Sequence, residues 1–276
     1  MKNIFLLLLS SIFVISCNST TDKANKENAL GDTIQTPSGL KYYYLKQGEG
    51  RKIAARSKVQ VYTDLYLNND DTVFWTTSTA PDSMFSFYHK RTSLIKGFSE
   101  LHDYLVEGDE IIAILPDSIA YGKEGRNGVP PAATLVYNPL VIKSVSEPKE
   151  LLSDSLYAII KSDGVQMASA AYDRIISSDE KEAFHQDDDL LVNDLLRNLS
   201  RDSLFIETEA FANFLLSRLE DNMHHRTLAF YAASAAEQQG NFEMAISYLD
   251  PWVVKEPEQP WWQNKINELK SKIKEE

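Results

Sequence analysis

The spacing of apolar residues divides the chain into two parts. In the first part apolar and polar residues alternate in short segments, which is typical of half-buried β-strands. In the second part apolar residues recur three and four positions apart, which is the spacing of amphipathic helices. The sequence therefore predicts a β-rich domain over 37–145 and an all-α domain over 146–276.

One segment inside the β-rich part has helical spacing instead. The sequence predicts a helix over 92–108, with Gly108 as its C-terminal stop. The residues expected on its apolar face are Leu94, Ile95, Phe98, Leu101 and Leu105. Pro139 falls inside the last predicted strand. Because proline removes one donor from the hydrogen-bond ladder, we expect a bulge or a sheet edge at that position.

The N-terminal residues have the pattern of a secretory signal peptide over 1–17. Lys2 precedes an apolar run over 4–15, which is short for a helix that spans a bilayer. The segment 14–17, VISC, resembles the lipobox of bacterial lipoproteins. This resemblance implies that Cys17 is lipidated and becomes the mature N-terminus. An ordinary cleaved signal peptide, with a coincidental cysteine, is the alternative.

The predicted lipid anchor has consequences for location. Residues 18–36 are polar and lack periodicity, which predicts a flexible tether between the lipid and the folded part. Several acyl chains hold a protein at a bilayer because each buried methylene contributes about 0.8 kcal/mol. We therefore expect a lipid-anchored protein of the bacterial cell envelope, on the outer membrane or the periplasmic face of a membrane.

Composition narrows the classes of function. A hydrophobic fraction of 43% and an aromatic fraction of 11% are sufficient for packed cores. The formal net charge of −12, without a cluster of Lys and Arg, argues against nucleic acid as a partner. Cys17 is the only cysteine, which excludes an intrachain disulfide and a cysteine-based zinc site.

The segment 115–137, LPDSIAYGKEGRNGVPPAATLVY, draws attention to a possible binding site. Two strand-like ends flank a loop that contains Gly125, Gly128 and the pair Pro130-Pro131. A rigid loop between two strands is suited to forming one side of such a site.

This loop is one of several motifs whose order resembles that of the FKBP-type peptidyl-prolyl cis-trans isomerase domain. The motifs are Gly48-Glu49-Gly50, Asp71-Thr72-Val73-Phe74, Leu94-Ile95-Lys96-Gly97-Phe98, Glu107-Gly108, Leu115-Pro116, Ala120-Tyr121-Gly122 and Gly128-Val129-Pro130-Pro131-Ala132-Ala133-Thr134-Leu135. The resemblance extends over most of 37–145. It implies a curved antiparallel sheet around a short helix. The expected fold class is therefore α+β, with an all-α, helical-repeat-like domain after the sheet.

The resemblance also implies a reaction that requires no cofactor, metal or nucleophile. Rotation about an Xaa-Pro amide is slow because resonance sets a barrier of about 18–20 kcal/mol. A dry apolar pocket that binds the proline ring favours the twisted amide, since that amide has lost its conjugation and is less polar. Proline-containing polypeptide segments are therefore the expected substrates.

The family's site residues are carried over position by position. The expected catalytic contacts are Phe74, Phe98 and Tyr121. The expected substrate-binding residues are Thr63, Trp75, Phe85, Leu94, Ile95, Val129 and Tyr137. The loop before Pro130 is one residue shorter than in the family pattern.

Two of these positions, Thr63 and Trp75, depart from the family, and Phe98 keeps the pocket floor with a smaller side chain. Phe98 stands where the pocket floor is usually tryptophan, Thr63 where a tyrosine is usual, and Trp75 where an aspartate is usual. Two functions therefore stay open. One is an isomerase acting on exported or envelope proteins. The other is a catalytically weakened scaffold or chaperone-like subunit of an envelope assembly. A cleft left open between Phe74, Phe98 and Tyr121 favours the enzyme, and a cleft filled by Trp75 favours the scaffold.

One segment of the helical part, near 226–258, resembles a tetratricopeptide repeat. The residues that fit its pattern are Ala233, Gly240, Phe242, Ala245, Leu249 and Pro257. Small residues let two antiparallel helices approach closely, and such repeats stack into concave peptide-binding faces. We therefore expect a protein partner on this domain, with a plain helical bundle as the alternative.

Three other clusters are interpreted as structural. In the run 185–191, HQDDDLL, adjacent residues do not converge easily on one metal ion, and Asp189 is expected to cap the following helix. His224 and His225 are expected on a helix surface rather than at a metal. The pair 261–262, WW, is expected to clamp the last helix.

Overall fold

The structure is a computed structural model that describes residues 31–68, 70–80, 83–126, 128–219 and 223–275. The predicted signal peptide, Cys17 and the tether up to residue 30 lie outside the described residues. At its other end the predicted tether is too long. Ile34 and Gln35 form a short strand, because Ile34 packs against the core of the sheet.

The β-rich part is a sheet of seven antiparallel strands. Their bounds are β1 (Ile34–Gln35), β2 (Lys41–Lys46), β3 (Lys58–Leu67), β4 (Trp75–Thr76), β5 (Phe85–Tyr88), β6 (Glu110–Leu115) and β7 (Leu135–Val145). The order is β1-β2-β6-β7-β3-β4, and β5 pairs with the first half of β3. Alternation produces this sheet: along β3, Val59, Val61, Thr63 and Leu65 are buried while their neighbours are partly exposed.

The helix of this part, α1 (Lys96–Leu101), is shorter than the sequence predicts. Ile95 is extended, and Leu105 is already paired with Ile53 through a backbone hydrogen bond of 3.4 Å. Leu105 is nevertheless fully buried, so its apolar side chain reflects core packing and not helical spacing. Gly97 lets α1 approach the sheet, since a Cβ there would lie 2.9 Å from the Leu115 side chain of β6.

The bulge predicted at Pro139 is confirmed. Strand β7 lies between β3 and β6, and its register against both strands shifts between Tyr137 and Leu140. The extra residue breaks the period of two. As a result Tyr137 and Leu140 both face the core.

The second part is helical, as predicted. Its helices are α2 (Leu152–Asp163), α3 (Val165–Ile176), α4 (Leu196–Arg201), α5 (Phe205–Leu216), α6 (Met223–Gln238), α7 (Phe242–Lys255) and α8 (Pro260–Glu275). A π-helical turn, Leu190–Leu195, leads into α4. Helices α5 to α8 each pack on the next helix in the chain. The parallel strands β8 (Glu150–Leu151) and β9 (Phe184–His185) were not predicted, because two residues carry no alternation signal.

Hydrogen-bonded charges join the two parts. Arg91, in the loop between β5 and α1, donates from Nε and Nη2 to the two carboxylate oxygens of Asp154 at 2.8 and 2.7 Å. Asp154 belongs to the first turn of α2. Asp187 accepts from the Tyr88 hydroxyl at 2.8 Å and from the Lys58 ammonium at 3.2 Å. The helical part is therefore bonded to the end of β5 and to the loop that follows it.

The capping role expected of Asp189 is wrong. Its side chain makes no capping hydrogen bond, because the helix already begins at residue 188 and Asp189 has helical dihedral angles. Asp187 stands at the helix start instead. Burial alone would raise the pKa of Asp187, but the hydrogen bond from Tyr88 and the charge of Lys58 hold that pKa below its usual value.

Within the described residues, no helix combines the length and the apolar character needed to cross a membrane.

Candidate functional site

A cavity of about 630 Å³ opens beside α1, at the end of the sheet where β4 and the 116–134 connection lie. Its volume is in the range of sites that bind small molecules or side chains. The residues that line it are Leu65, Phe74, Trp75, Phe85, Ser93, Leu94, Ile95, Phe98, Tyr121, Arg126, Val129 and Tyr137. Nine of the ten predicted pocket residues are therefore brought together, and Thr63 is not among the lining residues.

The floor of the cavity is aromatic and buried. Phe98 is 4% exposed and Tyr137 is 7% exposed, and their ring centroids lie 5.1 Å apart. Phe85 contacts Phe98 edge to face at 6.3 Å from the side. Burial raises the pKa of the Tyr137 phenol well above its usual value, so this group stays neutral. The floor is thus an uncharged surface of rings.

A buried histidine supports this floor from behind. The His102 ring lies 4.5 Å from the Phe98 ring, and its Nδ1 is 2.7 Å from the Phe98 carbonyl oxygen. A carbonyl only accepts, so Nδ1 carries the proton and donates. Burial lowers the pKa of His102 to about 4, which keeps the ring neutral near pH 7. The imidazole ring that packs against Phe98 from behind is therefore uncharged near pH 7.

Trp75 lies at the rim and leaves the cavity open. Its backbone pairs with Leu65 across β3 and β4, and its ring meets Phe85 edge to face at 6.2 Å. The side chain is 42% exposed. It extends the wall formed by Phe85, and no described side chain fills the volume between Phe74, Phe98 and Tyr121.

Thr63 was predicted to bind the substrate, but it does not line the cavity. Thr63 faces inward, but the turn at 77–79 covers it. The Thr77 hydroxyl accepts from the Thr63 amide at 3.1 Å and donates to the Thr63 carbonyl at 3.3 Å. Leu65, two positions further along the same face of β3, lines the cavity instead.

The loop singled out in the sequence forms one side of the cavity. Arg126 and Val129 exchange two backbone hydrogen bonds, of 3.1 and 3.0 Å, in a tight turn. Gly125 has φ +69°, and a Cβ there would lie 2.3 Å from the Val129 carbonyl oxygen. This turn sets Val129 into the cavity with only 6% exposure.

Three lining residues were missed by sequence reasoning. Leu65 shares a strand face with Thr63, so the period of two already pointed to it. Ser93 precedes the Leu94-Ile95 pair and carries no signal of its own. Arg126 lies in the shortened loop, where the family pattern gives no matching position.

Comparisons with known proteins cover the same region. The family model for FKBP-type peptidyl-prolyl cis-trans isomerases matches residues 49–139. A probable FKBP-type isomerase, FkpA, of Neisseria meningitidis is 35% identical over 120 residues, which are 43% of each chain. The chloroplastic isomerase FKBP16-4 of Arabidopsis thaliana is 28% identical over 42% of this chain and 54% of its own. The chain thus spans about half the length of the curated relatives it matches.

A solved structure of a protein that is also named FkpA is similar to part of this chain. FkpA from Escherichia coli is 26% identical and gives a TM-score of 0.39, with 44% of this chain and 54% of that chain covered. The matched segment contains the cavity and all of its lining residues, and the predicted α+β class is confirmed. Residues 49–139 therefore match the family of FKBP-type peptidyl-prolyl cis-trans isomerases.

Proposed function

We propose that this chain catalyses the cis-trans isomerisation of Xaa-Pro bonds in polypeptide segments. The observation that carries the proposal is the open aromatic cavity of about 630 Å³ inside the matched segment. Trp75 does not fill that cavity, which favours an enzyme over a closed scaffold.

The chemistry follows from the polarity of the amide. A planar Xaa-Pro amide is stabilised by resonance that separates charge, and twisting it removes this resonance. An apolar cavity that excludes water stabilises the twisted amide relative to the planar one. Phe98 and Tyr137 form the surface that receives the proline ring, and Phe74, Phe85 and Trp75 exclude water from its sides. Tyr121 lines the same space, and its hydroxyl is the group that we propose donates a hydrogen bond to the substrate backbone.

An NMR exchange assay on a capped Xaa-Pro peptide tests this proposal. We expect Tyr121→Ala and Phe74→Ala each to lower kcat/KM by about tenfold, since each removes a large contact from the cavity. Phe230→Ala is the matched control, because Phe230 on α6 is 42% exposed and Phe74 is 41% exposed. If the unaltered protein accelerates exchange no more than buffer does, the catalytic proposal is wrong and the scaffold alternative takes its place.

We further propose that the protein acts on exported or envelope proteins from a lipid anchor at Cys17. The support is the lipobox-like segment 14–17 and the polar segment that follows it. In a bacterial host, labelled palmitate should be incorporated into the unaltered protein and not into Cys17→Ser. Labelling of neither protein, together with recovery of both in the soluble fraction, would contradict the anchor.

The tetratricopeptide-like repeat near 226–258 stays a prediction. Helices α6 and α7 meet at Gly240, which has φ +75°, and Ala233 and Ala245 are buried where they pack. Phe230 and Trp261 are exposed on the neighbouring surface, with ring centroids 5.8 Å apart. We propose that this surface holds a protein partner or client.

A double variant tests that role. Phe230→Ser with Trp261→Ser should slow the isomerisation-limited refolding of a protein client while leaving exchange of a short peptide unchanged. Equal rates on both substrates would remove the partner surface and leave the isomerase proposal intact.

A further inference from the structure

Among the described residues, the rim of the cavity carries a single cation. Of the described residues that line the cavity, Arg126 alone is charged at neutral pH, and none is a carboxylate. The others are aromatic or aliphatic, apart from Ser93. Arg126 is exposed, so its guanidinium lies at the mouth and not on the floor.

The turn holds this cation in a defined place. The two backbone hydrogen bonds between Arg126 and Val129 anchor the residue to a side chain that is buried in the cavity. Gly125, before it, is fixed by its close approach to the Val129 carbonyl. The backbone of Arg126 is therefore held beside the cavity wall at Val129.

This guanidinium is not neutralised by the described part of the protein. Arg91 binds Asp154 through three hydrogen bonds, and Arg218 binds Asp173 through two. Arg126 makes no ion pair or side-chain hydrogen bond with any described residue, in contrast to those two. It therefore presents an arginine fork to whatever enters the cavity, and such a fork matches a carboxylate.

We infer that the site prefers proline segments in which an acidic residue directly adjoins the proline. The inference rests on the proposed function. An extended peptide advances about 3.3–3.6 Å per residue, so a proline ring on the floor places the neighbouring side chain near the mouth. An Asp or Glu side chain at that point reaches the guanidinium of Arg126. A Lys side chain is repelled by it.

Peptides that differ only beside the proline test the inference. Capped peptides carry Glu, Gln or Lys before the proline in one series and after it in another, so that no terminal carboxylate is present. We expect kcat/KM for the better Glu position to exceed that for Gln by about two- to fivefold, as for an exposed ion pair. The advantage should shrink as salt is added, because an exposed pair is screened.

Variants assign the preference to one side chain. Arg126→Gln should bring the ratio of kcat/KM between the Glu and Gln peptides to about one, and Arg126→Lys should retain part of the Glu advantage. Lys123→Gln, an exposed cation in the same loop, is the control and should change nothing. A Glu advantage that survives Arg126→Gln would overturn the inference.

The two proposals fail in different ways. Equal acceleration of the Glu and Gln peptides in both series refutes the carboxylate preference and leaves the isomerase. If no peptide is accelerated, the isomerase proposal fails, and NMR titration with the same peptides still measures their affinities. Tighter binding of the Glu peptide that is lost in Arg126→Gln would then support the preference, and equal binding would refute it.

Discussion

The sheet domain and the helical part are assembled over different distances along the chain. In the sheet domain β3 pairs with β7, so Leu65 lies opposite Tyr137, and both line one cavity. In the helical part α5 to α8 pack each on the next helix. The sheet domain thus brings together residues far apart in sequence and leaves a space between them. The helical part buries its apolar faces against immediate neighbours.

The largest expected effect comes from removing one buried ring in each part. The ring centroid of Phe87 lies 5.6 Å from that of Phe85 and 5.7 Å from that of Phe98, two residues that line the cavity. Phe211 is buried in the helical core. Phe87→Ala and Phe211→Ala should each lower the free energy of unfolding by about 3–5 kcal/mol. Urea denaturation followed by circular dichroism measures this loss.

Activity then separates the two variants. Under conditions where both are folded, Phe87→Ala should lose most of its isomerase activity, because the floor ring of Phe98 loses its support. Phe211→Ala should retain activity. An equal loss in both variants would show that the cavity depends on the helical core as much as on its own.

A smaller effect concerns pH and belongs to the sheet domain. The pKa of His102 is about 4 in the folded protein and near 6.5 in an unfolded chain. Its contribution to stability is complete above pH 6.5. It is lost as the pH falls toward 4, because the unfolded state takes up a proton that the folded state refuses. At pH 5 the loss should be about 2 kcal/mol.

His102→Asn is the variant that checks this. Its amide can still donate to the Phe98 carbonyl but does not titrate. The difference in unfolding free energy between pH 7 and pH 5 should be smaller in the variant than in the unaltered protein. An identical difference in both would mean that His102 does not titrate on unfolding in this range.

The smallest effect concerns the junction. Arg91→Gln removes the guanidinium that binds Asp154 and pairs with Asp194, and Arg218→Gln removes two hydrogen bonds to Asp173 inside the helical part. Each change should cost about 1 kcal/mol or less, since all five side chains are partly exposed. Of the two arginines, only Arg91 lies close in sequence to Ser93, which lines the cavity.

Peptide kinetics distinguish the two arginine variants. Arg91→Gln should raise KM by roughly two- to threefold, because positioning of the wall at Ser93 is loosened. Arg218→Gln should leave KM unchanged. Unchanged KM in Arg91→Gln would mean that the helical part does not position the cavity.

The two parts also differ in how much of their structure can be predicted from the sequence. Helices α2 to α8 follow from local spacing, because each buries one face of a continuous segment. Phe98 and Tyr121 could be placed in a pocket through motif order. Thr63 was misplaced, because the turn that covers it is bonded through Thr77, which alternation does not reveal. The Arg91–Asp154 pair joins residues 63 positions apart, and no local pattern couples them.

The last strand of the sheet has a consequence for how the domain is cut. The match to the family model ends at residue 139, but β7 continues to Val145 between β3 and β6. A fragment that ends at residue 139 would lose the β7 partners of Val59 to Thr63 and of Glu110 and Ile111. The backbone N–H and C=O groups of β3 and β6 would then be unpaired along these residues. Such exposed edges pair readily with a strand of another molecule. The end of the family match therefore lies inside the last strand of the sheet, and not at the end of the folded domain.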